Sequence, residues 1–349
     1  KRRERRALLY NGFILGTTYY GGSPSSGQVG TVFEYLPYAN TVYPYYTFTG
    51  QPTDGAYPMG GLVSDGLGNF FGTTTQGGLN LDGTIYEISG GFESVLYNFS
   101  EKDGIAPEGN LLMASDGNLF GTTPKGGANG LGTVFVVKGG TFVRLYSFGN
   151  AGNDGITPAA DLALLKGVLY GTTTAGGKYR WGTVFSLDVK TRAETVLYAF
   201  EGKKDGGAPA GGLVTDGLGN LYGTAASGGS ATGTAGSGVV FELDIKTKKY
   251  TVVHTFMGSD GADPTGALIT DGQGNFFGTT FAGGANGYGT VFEFNSAGTF
   301  TTLHSFTNGT DGAYPYGGVT LDSSGDVYGT ATRGGQDDWG TLFEITAVP

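Results

Sequence analysis

Cysteine is absent from the 349-residue chain, which removes disulfides, thiolate metal sites and thiol nucleophiles together. Histidine is nearly absent: His254 and His304 are the only two, too few for a histidine-rich metal centre. Charged residues make up 14% of the chain and its net charge is −10. Lys1–Arg6 (KRRERR) is itself strongly basic, so the remainder is more acidic still, and an acidic body excludes nucleic-acid binding through the general field. No apolar run approaches the roughly 18 residues of a spanning helix, so no membrane span is expected. Lysine and glutamate are scarce, and no stretch has the pattern of an ordinary helix.

What is abundant is glycine, 69 residues, with 44 tyrosines and phenylalanines taken together. The glycines are periodic. A GT pair, followed three residues on by GG, begins at Gly16, Gly72, Gly121, Gly171, Gly223, Gly278 and Gly329. A second glycine opens GTVF or a close variant at Gly30, Gly83, Gly132, Gly182, Gly238, Gly289 and Gly340. A period of about 50 residues points to an array or a propeller. The opening ALLYNGFILGTT aligns with LMASDGNLFGTT, which ends at Thr123, so the first repeat begins at residue 7 and is not a signal peptide. Residues 1–6 are read as a basic tail.

Each repeat reads as four strands. In the second copy DGAYP is a turn, GGLVSD and NFFGTT form a hairpin across GLGN, a glycine-rich loop leads to GTIYEI, and FESVLYNF is the fourth strand. Four strands per repeat is the blade of a β-propeller. The expected fold is therefore all-β, a single seven-bladed β-propeller over residues 7–349. Asp65, Asp116, Asp216, Asp271 and Asp322 begin hairpin turns, where a carboxylate bonds backbone N–H groups two residues on. DGxxP recurs at Asp54, Asp103, Asp154, Asp205, Asp260 and Asp311, linking one blade's outermost strand to the next blade's innermost. Strand parity puts these turns and the GG loops on one rim.

LYGTAASGG (221–229), GTVFEF (289–294) and VLYAF followed by DGGAPAGGLVTDGLGN resemble the tandem repeats of GloVer-type propeller proteins, a bacterial group, over residues 7–346. The resemblance implies a propeller and an exported protein, extracellular or on the cell surface; it implies no particular activity. The chain departs from the pattern at both ends. KRRERR stands where a VLYSF-like strand and a DGxxP turn are expected, and GTLFEITAVP has no fourth strand after it. Blade seven is expected to lack its outer strand, leaving Thr341, Leu342, Phe343 and Ile345 on an edge over 341–348 that a second copy or another protein can pair with.

Residues shared by every copy are needed to build a blade, so ligand chemistry is sought where copies differ. His254 and His304 occupy a slot held elsewhere by Tyr46, Tyr97, Tyr146 and Tyr198, and are read as packed positions. The GG loops differ most. Trp181 and Trp339 precede GT in two of them and Tyr288 in a third; Tyr179, Arg180, Arg333, Asp337 and Asp338 lie nearby. Aromatic faces stack on sugar rings while Arg and Asp bond hydroxyls. These residues are the ligand-binding candidates, for a glycan, a peptide or a neighbouring protein. Tyr19 and Tyr20 extend the same platform. The competing reading is that the tryptophans merely cover the next blade. The expected function is noncatalytic recognition or assembly, with no cofactor and no metal. The alternative is a carbohydrate-active enzyme, a hydrolase or lyase, working through rim carboxylates.

Overall fold

The computed structural model describes residues 4–22, 27–150, 152–230 and 236–346, residues 4–6 by their backbone alone. The chain is all-β: seven of the eight sheets among the described residues are the blades of a β-propeller, and the eighth pairs Gly155–Ile156 with Ala175–Gly176. It divides into two compact units. Residues 1–150 with 157–162 carry blades one to three, and residues 151–156 with 163–349 carry blades four to seven. The one helical turn among the described residues is Pro37–Ala39.

Every blade is an antiparallel meander. Blade six is representative: Ile269–Thr270, Asn275–Thr280, Thr290–Asn295 and Phe300–Ser305 pair in that order. Among the described residues blade seven has three strands, Thr320–Leu321, Val327–Ala331 and Thr341–Ile345. In blade one the first strand runs Glu4–Tyr10 and Glu4 pairs with Thr18, so the basic segment is strand from residue 4 and not tail. First strands elsewhere are shorter than the sequence implies, for instance Val63–Ser64. Ahead of Val63–Ser64 the backbone packs on the neighbouring blade: a Cβ on Gly60 would lie 2.7 Å from the Gly109 carbonyl oxygen.

The repeat vocabulary now has a physical meaning. The first glycine of GT leaves room for the aromatic of the third strand: a Cβ on Gly16 would stand 2.5 Å from Phe33 Cζ, and on Gly121 2.4 Å from Phe135 Cζ. The second glycine seats the proline of the next DGxxP. At Gly289, φ is +96° and a Cβ would stand 2.7 Å from Pro315 Cδ. The last threonine of GTT bonds the first of GTVF, as in Thr280 and Thr290, whose hydroxyls are 2.8 Å apart. Third and fourth strands share a β-bulge at the same place, between Val32 and Phe33 and between Val291 and Phe292.

Within each unit, a phenylalanine that follows a fourth strand wedges one blade against the next. Phe99 meets Phe135 at 5.3 Å, Phe256 meets Phe292 at 5.3 Å and Phe306 meets Phe343 at 5.1 Å, all edge to face. These wedges are almost fully buried, and losing such a ring costs about 3–5 kcal/mol.

Turn aspartates behave as expected of Asx turns. Asp216 Oδ1 accepts the Leu218, Gly219 and Asn220 N–H groups, and Oδ2 accepts Asn220 Nδ2 at 2.7 Å.

Candidate functional site

GG loops and DGxxP turns do share a rim, because they are paired within each blade. Ala262 bridges Ala282, Ala313 bridges Arg333 and Ile105 bridges Lys125. A second tie joins successive blades. The carbonyl before each GTVF accepts the N–H of the residue before proline: Val29 from Tyr57 (2.6 Å), Asp82 from Ala106 (2.9 Å), Trp181 from Ala208 (2.8 Å) and Tyr288 from Tyr314 (2.7 Å). That tie holds the residue before proline at positive φ, +59° for Tyr57 and +57° for Tyr314. For a bulky side chain this is an uncommon and strained conformation.

Trp181 and Trp339, equivalent in sequence, are placed differently. Trp181 is half-buried over the segment EGKKDGGAP that leads into the following blade, where a Cβ on Gly202 would lie 2.4 Å from Trp181 Cδ2. Trp339 is 58% exposed. Tyr179 is 41% exposed, with Lys178 Nζ 4.8 Å from its ring centroid. Arg180 and Asp338 both take positive φ at the loop corner, +68° and +56°. The Asp338 carboxylate is committed to that corner, accepting the Gly334 N–H at 2.8 Å. Asp337 is its exposed neighbour.

Tyr288 and Arg333, from different blades, are brought together by a residue the loop comparison overlooks. Tyr314 packs on Phe281 with ring centroids 5.2 Å apart, meets Tyr288 edge-on at 5.6 Å, and carries the Arg333 guanidinium 6.0 Å from its centroid. Tyr316 closes the group, edge-on to Phe281 at 5.9 Å. Asp263 lies alongside, its carbonyl accepting the Phe281 N–H, and burial raises its carboxyl above the ordinary range. The signal for Phe281 and Tyr314 was present: residue types differ between copies just after GTT and just before proline. Reading DGxxP as uniform grammar hid it.

The edge residues are also distinguished. Phe343 is 9% exposed and belongs to the core against Phe306 and Gly329, so it does not face a partner. Thr341 donates to the Asp311 carbonyl at 3.2 Å, and Leu342 and Ile345 are half-buried. The strand Thr341–Ile345 pairs inward with Val327–Ala331 and has no outer partner among the described residues.

The histidines are structural. His254 Nε2 is 2.8 Å from Asp260 and His304 Nε2 is 3.1 Å from Asp311, the bond Tyr97 makes to Asp103 and Tyr198 to Asp205. Among the described residues no three His, Asp or Glu side chains gather as metal ligands.

With blades, ties and rim in view, the Gloeobacter/Verrucomicrobia repeat matches residues 4–234 and again 167–348. The chain belongs to that repeat family. No curated protein matches it. Solved structures share the fold at low identity. The extracellular domain of a hybrid two component system from B. thetaiotaomicron is 9% identical, with a TM-score of 0.64, covering 100% of this chain and 39% of that one. The GH74 enzyme of Niastella koreensis is 14% identical, with a TM-score of 0.62, covering 98% and 52%. An oligogalacturonate lyase in complex with manganese is 9% identical, with a TM-score of 0.61, covering 99% and 90%. This member of the Gloeobacter/Verrucomicrobia repeat family thus shares its architecture with enzymes and with an extracellular domain, and the likeness is one of fold.

Proposed function

We propose that this chain is a noncatalytic, exported recognition module that binds a neutral glycan on the rim of its second unit. The observation that carries the reading is the cluster of Phe281, Tyr288 and Tyr314 with Arg333. Four other copies make the same turn with Ala106, Thr157, Ala208 or Asp263 before the proline, so the blade does not require an aromatic there. Flat rings at a loop rim suit the apolar face of a pyranose, and a guanidinium beside them suits its hydroxyls. A net charge of −10 disfavours an anionic saccharide. A β-1,4-glucan, whose hydroxyls are equatorial, offers the flattest apolar face.

A catalytic reading requires two opposed carboxylates. Asp337 and Asp338 are chain neighbours, and Asp338 already holds its own loop corner. Exported placement is in keeping with the extracellular propeller domain of the same fold.

The test is calorimetric titration of the full chain with cellohexaose and with hexagalacturonate, repeated with Tyr314→Asn, since asparagine tolerates positive φ. Binding of cellohexaose in the range of about 10 μM to 1 mM, lost in the variant, supports the reading. Release of shorter sugars by the wild type would replace it with the enzyme.

A second reading rests on Thr341–Ile345. Six other third strands carry an outer partner and this one has none among the described residues; the partner proposed for it is a strand of a second copy. Light scattering with hydrogen exchange tests this: a concentration-dependent dimer with slowed exchange at residues 341–345 supports it, and a monomer with fast exchange there removes it.

A further inference from the structure

We infer that the first unit carries a second saccharide site of the same build, formed by Tyr19, Tyr20 and Tyr57, so that one chain holds two ligands; the inference rests on the recognition reading above. Tyr57 and Tyr314 are the residues before proline in the two DGAYP turns. Each packs against the residue just after GTT of the preceding blade: Tyr57 stacks on Tyr19 at 5.0 Å and 30°, and Tyr314 lies over Phe281 at 5.2 Å and 34°. Tyr20 meets both rings of its cluster edge-on, at 4.8 Å from Tyr19 and 5.6 Å from Tyr57. It is 39% exposed.

The two slots change together. Where the residue before proline is small or polar, the residue after GTT is non-aromatic: Thr75 with Ala106, Pro124 with Thr157, Thr174 with Ala208, Ala226 with Asp263. Both slots become aromatic at the same two places and nowhere else in the chain. Fold maintenance does not require this, since four turns of the same geometry do without it. Nor does complete burial, since Tyr19, Tyr57, Phe281 and Tyr314 are all part-exposed. Each tyrosine is moreover held at positive φ, where a bulky residue is disfavoured.

The sites differ at their edges. Arg333 stands over Tyr314 in the second unit; in the first, the third member is the phenol of Tyr20. A neutral pyranose is therefore the shared ligand, stacked on the paired rings and bonded at its hydroxyls by Tyr20 in one site and Arg333 in the other.

The experiment is calorimetric stoichiometry with cellohexaose on the full chain, wild type against Tyr57→Asn, Tyr314→Asn and the double variant. Melting curves are recorded alongside, because asparagine suits positive φ and keeps the turn. The expected result is two sites per chain in wild type, one in each single variant, none in the double, with melting temperatures within a few degrees of wild type. One site in wild type, lost with Tyr314→Asn and untouched by Tyr57→Asn, overturns this inference and leaves the recognition reading standing. No cellohexaose binding in wild type removes both. A large fall in melting temperature for Tyr57→Asn, with stoichiometry unchanged, assigns the cluster to structure and also overturns the inference.

Discussion

His254 reaches Asp260 at 2.8 Å while its ring lies parallel to Phe300 at 3.6 Å. Tyr198 makes the same pair of contacts, to Asp205 at 3.0 Å and to Tyr250 at 4.1 Å. The histidine is therefore one more filler of an aromatic slot that fastens a fourth strand to the following DGxxP turn. Replacing His254 by tyrosine is expected to leave stability within about 0.5 kcal/mol, and by alanine to cost about 1–3 kcal/mol. Urea unfolding of the two variants checks the contrast.

Glu93 occupies the place that Phe142, Tyr250 and Phe300 take in other blades, and it faces Asp54, Tyr46 and Tyr86. Burial, then the Asp54 carboxylate, push its carboxyl up to about 8. Glu194, in the equivalent position of blade four, is pushed up to about 7 by burial and then Asp154. A native carboxyl that holds its proton more tightly than the unfolded chain contributes stability fully below the ordinary value of 4.5, and that contribution is lost as pH rises through about 8. Unfolding at pH 5 and at pH 8.5 is expected to show the wild type losing about 1–2 kcal/mol, once solvent screening of a part-exposed group is allowed for. Glu93→Gln is expected to lose less over the same interval.

Gly289 and Gly298 both have positive φ but differ in surroundings. A Cβ at Gly289 would meet Pro315 Cδ at 2.7 Å and the Thr280 carbonyl at 2.5 Å, whereas at Gly298 nothing lies within 4 Å. Gly289→Ala is expected to cost about 3 kcal/mol or more and Gly298→Ala about 1 kcal/mol, read from denaturant midpoints.

The tryptophans separate by the same reasoning. Trp181→Ala uncovers Gly202 and is expected to cost about 2–3 kcal/mol, while Trp339→Ala, at a residue 58% exposed, is expected to change stability by less than about 1 kcal/mol. Thermal unfolding distinguishes them.

Much of the fold was legible because each repeated residue answers a local demand. Gly16 makes room for Phe33, Gly289 seats Pro315, and Asp216 closes its hairpin, and each demand recurs at a fixed spacing. The rim was less legible. Trp181 and Trp339 share a sequence slot, and only packing tells the covering ring from the exposed one. Phe281 and Tyr288 flank one loop, but Tyr314 and Arg333 come from the next turn and the next blade and meet them only through the backbone ties between blades, so no single loop displays the cluster. Residue 4 belongs to a strand because its backbone finds Thr18 to pair with, whatever its charge.

The most direct test of the account is a crystal structure of the chain with bound cellohexaose. The account predicts a glucose ring lying over Tyr314 and Phe281, with a hydroxyl bonded to Arg333 and no carboxylate pair astride a glycosidic bond. A sugar seated instead on Trp339 or between two carboxylates, with the Tyr314 cluster bare, would contradict it.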